Sequence, residues 1–251
     1  MLREETVFGP IHSRRLGNSL GINVLPSQGK LCNFDCIYCE CGWNRDGRQD
    51  RTLPSAEDVR EALEAKLKRL SGEGIRVDSI TFSGDGEPTL NKDFPQIVRD
   101  TIRLRDVYYP DAVVSVLSNA TRIGRPEVLE ALRMVDNPIL KIDAPTDELA
   151  AKINQPAGDY HVEGVIKNME AFEGDFILQT MFLKAPGFDS SSPEVLVPWM
   201  DIVRRLHPRE VMVYTLDRPA PAAGLTKFTA AQMQSLVQPL IDEGYKIQIK
   251  E

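Results

Sequence analysis

The chain has 251 residues, 42% hydrophobic and 27% charged, with a net charge of −7. That length can bury a large core, the composition is that of an ordinary globular protein, and no apolar run approaches the roughly 18 residues of a membrane-spanning helix. The acidic balance gives no general attraction to nucleic acid, which ranks nucleic acid low among partners. Residues 1–18 show no clear periodicity and are expected to form an N-terminal extension packed on the edge of the fold. They contain no signal-peptide core. Arg14-Arg15 is followed by a stretch too short and too polar for a twin-arginine export signal, so a cytoplasmic setting is expected, where thiols stay reduced. Arg14 and Arg15 precede the first strand, placed either to reach a carboxylate or phosphate or to stay at the surface.

Residues 20–25 form an apolar run that reads as the first strand. The loop after it carries Cys32, Cys36 and Cys39, spaced by four and three residues, with Phe34 and Tyr38 between them. Three thiolates on one loop can hold three corners of a cubane iron–sulfur cluster, which normally takes four cysteines. With three, one iron keeps an open position for a small chelating ligand. Two other readings stand beside this one. A structural zinc site wants four ligands, drawn here from Cys41 or from His12, His161 and His207. An iron–sulfur electron carrier would close its fourth iron with Cys41. A disulfide framework is poorly served by four cysteines within ten residues, because it would staple almost nothing. Residues 42–53 are a polar loop in which Trp43, Arg45, Arg48 and Arg51 make either a basic patch or a solvated surface.

A helix then opens at Ser55, which can cap it with Asp58 in the first turn, and Val59, Leu63, Leu67 and Leu70 recur at helical spacing. Residues 78–82 are a short strand running into Ser83-Gly84-Asp85-Gly86-Glu87-Pro88, a turn whose glycines permit close backbone approach. Phe94, Ile97, Val98 and Ile102 mark the next helix. Residues 113–117 are a buried strand ending in Ser118 and Asn119, small polar groups suited to a carboxylate or ribose, or, for Asn119, to stabilising its own turn. Pro126 starts a helix carrying Val128, Leu129, Leu132 and Val135.

Residues 139–143 are a strand in which Lys141 and Asp143, two apart, share a face. On an interior face they must pair or meet a ligand, because a lone buried charge is costly. Residues 154–161 read as a loop, 162–172 as a helix, 176–183 as the fifth strand, and 184–193 as a loop long enough to be a lid. Pro198 is expected to break or kink the helix after Pro193, or to start it. Residues 211–216 are the sixth strand, followed by Asp217 and Arg218. Thr229 and Gln232 fit a capping box for a last helix that contains Pro239, and 247–249 can form a short closing strand. Strands alternating with helices about six times argue for a parallel sheet.

Cys32, Cys36 and Cys39, with aromatic Tyr38 before the last, resemble the signature of the radical S-adenosylmethionine (SAM) enzymes. The text from Arg14 through Gly42, together with Gly84-Asp85-Gly86-Glu87-Pro88, resembles the small iron–sulfur oxidoreductases grouped with the tRNA wyosine-synthesis enzymes. The resemblance implies an α/β fold, a partial (β/α)6 TIM-like barrel of parallel strands, as one domain over 1–251 with 1–18 the extension and 19–251 the barrel. It implies a 4Fe–4S cluster on Cys32, Cys36 and Cys39 and SAM bound at the open iron. The SAM contacts it implies are the Gly84–Gly86 backbone with Asp85 and Glu87 for the amino group, Ser118 and Asn119 for the carboxylate or ribose, and Lys141 and Asp143 beside ribose and substrate. Tyr38 and Phe34 would pack on cluster or adenine, or simply in the core. The family form of the turn is Gly-Gly-Glu, whereas this chain has Gly-Asp-Gly-Glu. An external reductant of flavodoxin or ferredoxin type would supply the electron that cleaves SAM to a 5′-deoxyadenosyl radical, which abstracts hydrogen from a substrate the motifs do not name.

Overall fold

The computed structural model describes residues 5–13, 16–27, 29–46 and 52–251. They form two compact units, Met1–Cys32 with Asn44–Ser118 and Arg122–Pro138, and Asn33–Trp43 with Asn119–Thr121 and Ile139–Glu251.

In the first unit β1 (Val7–Ser13) runs antiparallel to β2 (Gly17–Ile22), and β2, β3 (Ser79–Phe82) and β4 (Val113–Ser118) run parallel in that order. Helices α1 (Ala56–Gly72), α2 (Phe94–Tyr108) and α3 (Pro126–Met134) follow β2, β3 and β4 in the chain. Leu20, Ile22, Ile80, Phe82, Val114 and Val116 are fully buried, as expected of parallel strands covered on both faces. The stripe of Val59, Leu63, Leu67 and Leu70 is the buried face of α1, and Ser55 and Asp58 complete its capping box. A buried hydroxyl ladder crosses the strands, from Ser19 to Thr81 (2.8 Å), Thr81 to Ser79 (2.9 Å) and Ser79 to Ser115 (3.1 Å). Each hydroxyl there has a partner, so the polar groups are buried without the penalty of an unmade bond.

Residues 7–13 of the expected extension do lie on the edge of the sheet. They are there as a paired strand, with a register irregularity between Phe8 and Ile11, which the lack of periodicity did not indicate. The irregularity spoils the alternation that marks a strand in sequence. The first parallel strand spans Gly17–Ile22, earlier than the apolar run alone indicated, because backbone pairing with β3 starts at Ser19. Arg14, Arg15, Arg48 and Arg51 lie outside the described residues.

In the second unit β5 (Asn137–Lys141, from Ile139 onward), β6 (Ile177–Met181), β9 (Glu210–Tyr214) and β11 (Ile247–Lys250) run parallel. The chain between them forms α4 (Asp147–Ile153), α5 (Val162–Met169), α6 (Pro193–Leu206) and α7 (Ala230–Asp242). A separate small sheet holds β7 (Leu183–Ala185), β8 (Phe188–Asp189) and β10 (Thr226–Lys227), in the order β10-β7-β8. The expected lid at 184–193 is therefore largely this antiparallel β7–β8 turn. Trp199 is fully buried on α6 and donates to the Thr180 hydroxyl at 3.0 Å. Pro198 does not break α6, which begins at Pro193 and runs through it. Asp143 lies past the end of β5 instead of within the strand. The Thr229–Gln232 capping box opens α7 as expected. Both units are α/β, and β11 is the closing strand beyond six βα repeats. Among the described residues no helix is long and apolar enough to cross a membrane.

Candidate active site

In the first unit the chain approaching Cys32 is strapped to the glycine-rich turn after β3. The Leu31 amide donates to the Asp85 carbonyl (2.9 Å) and the Glu87 amide to the Leu31 carbonyl (3.1 Å). Gly86 sits at φ +140°, and a Cβ there would lie 1.8 Å from the Leu31 carbonyl oxygen; one on Gly84 would lie 2.0 Å from Asn23 Oδ1. Only glycine permits these close approaches. The Asp85 side chain is buried beside Asn23, whose Nδ2 lies 3.5 Å from its Oδ2 and whose Oδ1 accepts from the Asp85 amide at 3.2 Å. Glu87 is buried, and its Oε1 accepts from the Thr89 amide (3.1 Å), the Thr89 hydroxyl (2.6 Å) and the Ser118 hydroxyl (2.9 Å). Ser118, the last residue of β4, thus points at the Glu87 carboxylate. The Cys32 carbonyl accepts from Asn44 Nδ2 at 3.1 Å.

In the second unit the loop after Cys32 is a run of tight turns, closed by Cys39 amide to Cys36 carbonyl (3.1 Å) and Gly42 amide to Cys39 carbonyl (3.0 Å). The end of α4 holds it along its length. The Asp35 amide donates to the Asn154 carbonyl (2.9 Å), the Ile37 amide to the Ile153 carbonyl (3.0 Å) and the Ala157 amide to the Asn33 carbonyl (2.8 Å). Phe34 is buried edge-on against Tyr160, with centroids 5.1 Å apart. On the exposed side Arg218 pairs with Glu40 at 2.8 Å. Asn119 uses both ends of its amide inside this unit. Its Oδ1 accepts from the Thr121 amide (3.1 Å) and hydroxyl (2.7 Å), closing its own turn, and its Nδ2 donates to Asn33 Oδ1 (2.8 Å).

The densest polar group in this unit surrounds Asp143. Its Oδ2 accepts from the Tyr38 hydroxyl and from Asn154 Nδ2 (2.7 Å), and its Oδ1 accepts from the Met181 amide (2.8 Å) and lies 3.5 Å from Lys141 Nζ. Of the two expectations for Lys141 and Asp143, a pair or a ligand contact, the structure shows the pair, with Asp143 beyond the end of β5. The Lys141 ammonium also donates to the Tyr214 hydroxyl and sits over the Tyr38 and Tyr214 rings, 5.2 and 4.8 Å from their centroids. Burial opposes the charged form of Lys141, but the charges of Asp143 and Tyr214 outweigh it and hold the ammonium above its usual range. Burial, reinforced by the Asp143 charge, holds the Tyr38 phenol well above its usual value and pushes the Cys36 thiol up to about 11. Asn154 Nδ2 also reaches the Tyr38 oxygen (3.1 Å) and Cys36 Sγ (3.4 Å). Asn154, Tyr214 and Thr89 were not legible as site residues: each is an ordinary polar residue whose partners lie far along the chain or on the far side of a turn.

Residues 28–178 match the family model of the radical SAM superfamily. The chain belongs to the radical SAM superfamily. That segment holds the three cysteines, the Gly84–Glu87 turn, Ser118, Asn119, Lys141, Asp143 and Asn154. A UPF0026 protein of Methanocaldococcus jannaschii is 31% identical over 84% of this chain and 64% of its own length, so the chain spans under two thirds of that relative. Among solved structures, SAM-bound SuiB of Streptococcus suis covers 89% of this chain and 49% of that chain at a TM-score of 0.66 and 16% identity. TYW1 with a lysine–pyruvate adduct bound covers 90% and 74%, at a TM-score of 0.64 and 13% identity. These likenesses establish the fold class, an α/β partial TIM-like barrel. The cofactors of the radical SAM family are a 4Fe–4S cluster and SAM.

Proposed function

We propose that Cys32, Cys36 and Cys39 hold a 4Fe–4S cluster with one open iron, and that the chain uses SAM there to abstract hydrogen from a substrate. The observation that carries this reading is the three-thiol spacing inside the matched segment. The donor set fits the group. Three thiols of intermediate exposure lie on one stretch of chain whose turns and carbonyls are tied down on each side. When bound, the pair supplies the hard chemistry: one electron from an external flavodoxin- or ferredoxin-type reductant cleaves SAM to methionine and a 5′-deoxyadenosyl radical.

The protein's own residues bind and orient. Glu87, fixed by Thr89 and Ser118, presents a preorganised carboxylate at the end of β3 to receive the amino group of SAM. Asp85 and the Gly84–Gly86 backbone shape that turn. Lys141, Asp143 and Tyr38 form a rigid polar wall for ribose or substrate, and Asn119 holds the turn that bears Asn33. Cys41 is not a ligand in this reading. The chain acts as one catalytic domain in the cytoplasm, where thiols stay reduced.

The test is electron paramagnetic resonance of the anaerobically reconstituted, reduced protein with and without SAM. A reduced 4Fe–4S signal that changes with SAM is the expected result. A signal indifferent to SAM would leave an electron carrier, and a colourless protein with bound zinc would end the radical reading. Cys39→Ala should abolish SAM cleavage and Cys41→Ala should spare it. Glu87→Ala should weaken SAM binding while leaving the cluster in place; unchanged SAM affinity would remove Glu87 from the site.

A further inference from the structure

Asn154 does something that neither the cysteine motif nor the glycine-rich turn requires. It lies at the C-terminal end of α4, buried to 2% exposure, and 118 residues after Cys36 in sequence. Its backbone carbonyl receives the Asp35 amide, so the residue is bolted to the cysteine loop by its main chain. Its side chain then turns back along the same loop. Nδ2 lies 2.7 Å from Asp143 Oδ2, 3.1 Å from the Tyr38 oxygen and 3.4 Å from Cys36 Sγ.

The orientation of the amide follows from its surroundings. Asp143 accepts only, and the Tyr38 proton is already given to Asp143, so both atoms facing Asn154 there are acceptors. The amide nitrogen must be the end that faces them, and the same nitrogen faces the sulfur. One of its two hydrogens is held by Asp143; the other is directed between the Tyr38 oxygen and Cys36 Sγ. A hydrogen-bond donor fixed on this sulfur matters to a metal-bound thiolate, because hydrogen bonds to ligating sulfurs set the reduction potential of iron–sulfur clusters.

We propose that Asn154 is a positioning residue that donates a hydrogen bond to the Cys36 sulfur and raises the reduction potential of the cluster held there. The inference rests on the cluster assignment above. The reduced cluster places more negative charge on its sulfurs than the oxidised one. It therefore gains more from the donor, and electron entry becomes easier. Asp143 is the anchor of this arrangement: by holding one amide hydrogen it aims the other.

The test is an anaerobic redox titration of the reconstituted protein, read by the reduced-cluster signal, on the wild type and on Asn154→Leu, which keeps the volume and removes the donor. The loss of one such bond should shift the equilibrium between oxidised and reduced cluster toward oxidised by about tenfold, a fall of roughly 60 mV for one electron. A loaded Asn154→Leu protein with unchanged midpoint potential overturns the inference. If the variant does not load, the wild type decides. Protein labelled with 15N-asparagine should show a hyperfine coupling between the reduced cluster and one asparagine amide, together with an exchangeable proton lost in D2O; neither coupling overturns the proposal. A wild type with no reduced-cluster signal removes the cluster assignment itself, an outcome distinct from an unaltered potential.

Discussion

Two buried carboxylates differ in the hydrogen-bond donors they face. Glu87, beyond β3, is 2% exposed; its Oε1 accepts from the Thr89 amide, the Thr89 hydroxyl and the Ser118 hydroxyl, and its charge acts on Arg122. Asp143, beyond β5, is 3% exposed and faces an ammonium, a phenol, a side-chain amide and a backbone amide. Neutral donors contribute of the order of 1 kcal/mol each, and one can be deleted while the others remain. A buried ion pair behaves differently, because removing one member strands the other without its counter-charge.

The largest expected effect follows from that contrast. Asp143→Ala leaves the Lys141 ammonium, 16% exposed at its side chain, without its counter-charge and releases Tyr38 and Asn154. It should cost about 3–5 kcal/mol of stability, measured by urea unfolding of the cluster-free protein. A loss below about 1 kcal/mol would place Asp143 in the same class as Glu87 and break the comparison. Ser118→Ala removes one neutral donor from Glu87 and should cost about 1 kcal/mol in the same assay. Thr229→Ala removes the cap of α7, which contacts neither carboxylate through its cap bond, and should also cost about 1 kcal/mol, which calibrates the neutral class.

The smallest effect lies on the surface. The hydrogen bond to Asp147, aided by the charge of Asp159, raises His161 above its ordinary value. A raised histidine contributes its stability below the unfolded value of about 6.5 and loses it as pH rises through the folded value. An NMR titration should therefore find His161 above about 6.5, and Asp147→Asn should bring it back down.

Several elements were legible because their causes are local. The α7 capping box and the Ser55 cap of α1 need residues three apart, and both formed. The stripe on α1 repeats at helical spacing and is buried as read. Lys141 and Asp143 were legible as charged neighbours two residues apart, although Asp143 lies beyond the strand that was expected to hold both. What was missed had causes further away or signals too short. β1 is a strand because β2 lies beside it, and its register break hides the alternation. α4 spans seven residues, too few to establish a period, and begins at a Thr146 cap inside a polar stretch. β7 and β8 are three and two residues long and exist only as an antiparallel pair. Pro198 is accommodated within α6, whose buried face carries Val195, Trp199, Met200, Ile202, Val203 and Leu206.

The sequence by itself determined the thiol spacing, the alternation of strands with helices and the position of the glycine-rich turn, because each depends on neighbours a few residues apart. Only the tertiary structure decided what those residues touch. It put Gly86 against Leu31, aimed Ser118 at Glu87, and brought Asn154 to Cys36 across 118 residues of chain. Hydrogen bonds act over about 3 Å, and which atoms come that close is set by packing of the whole chain rather than by spacing along it.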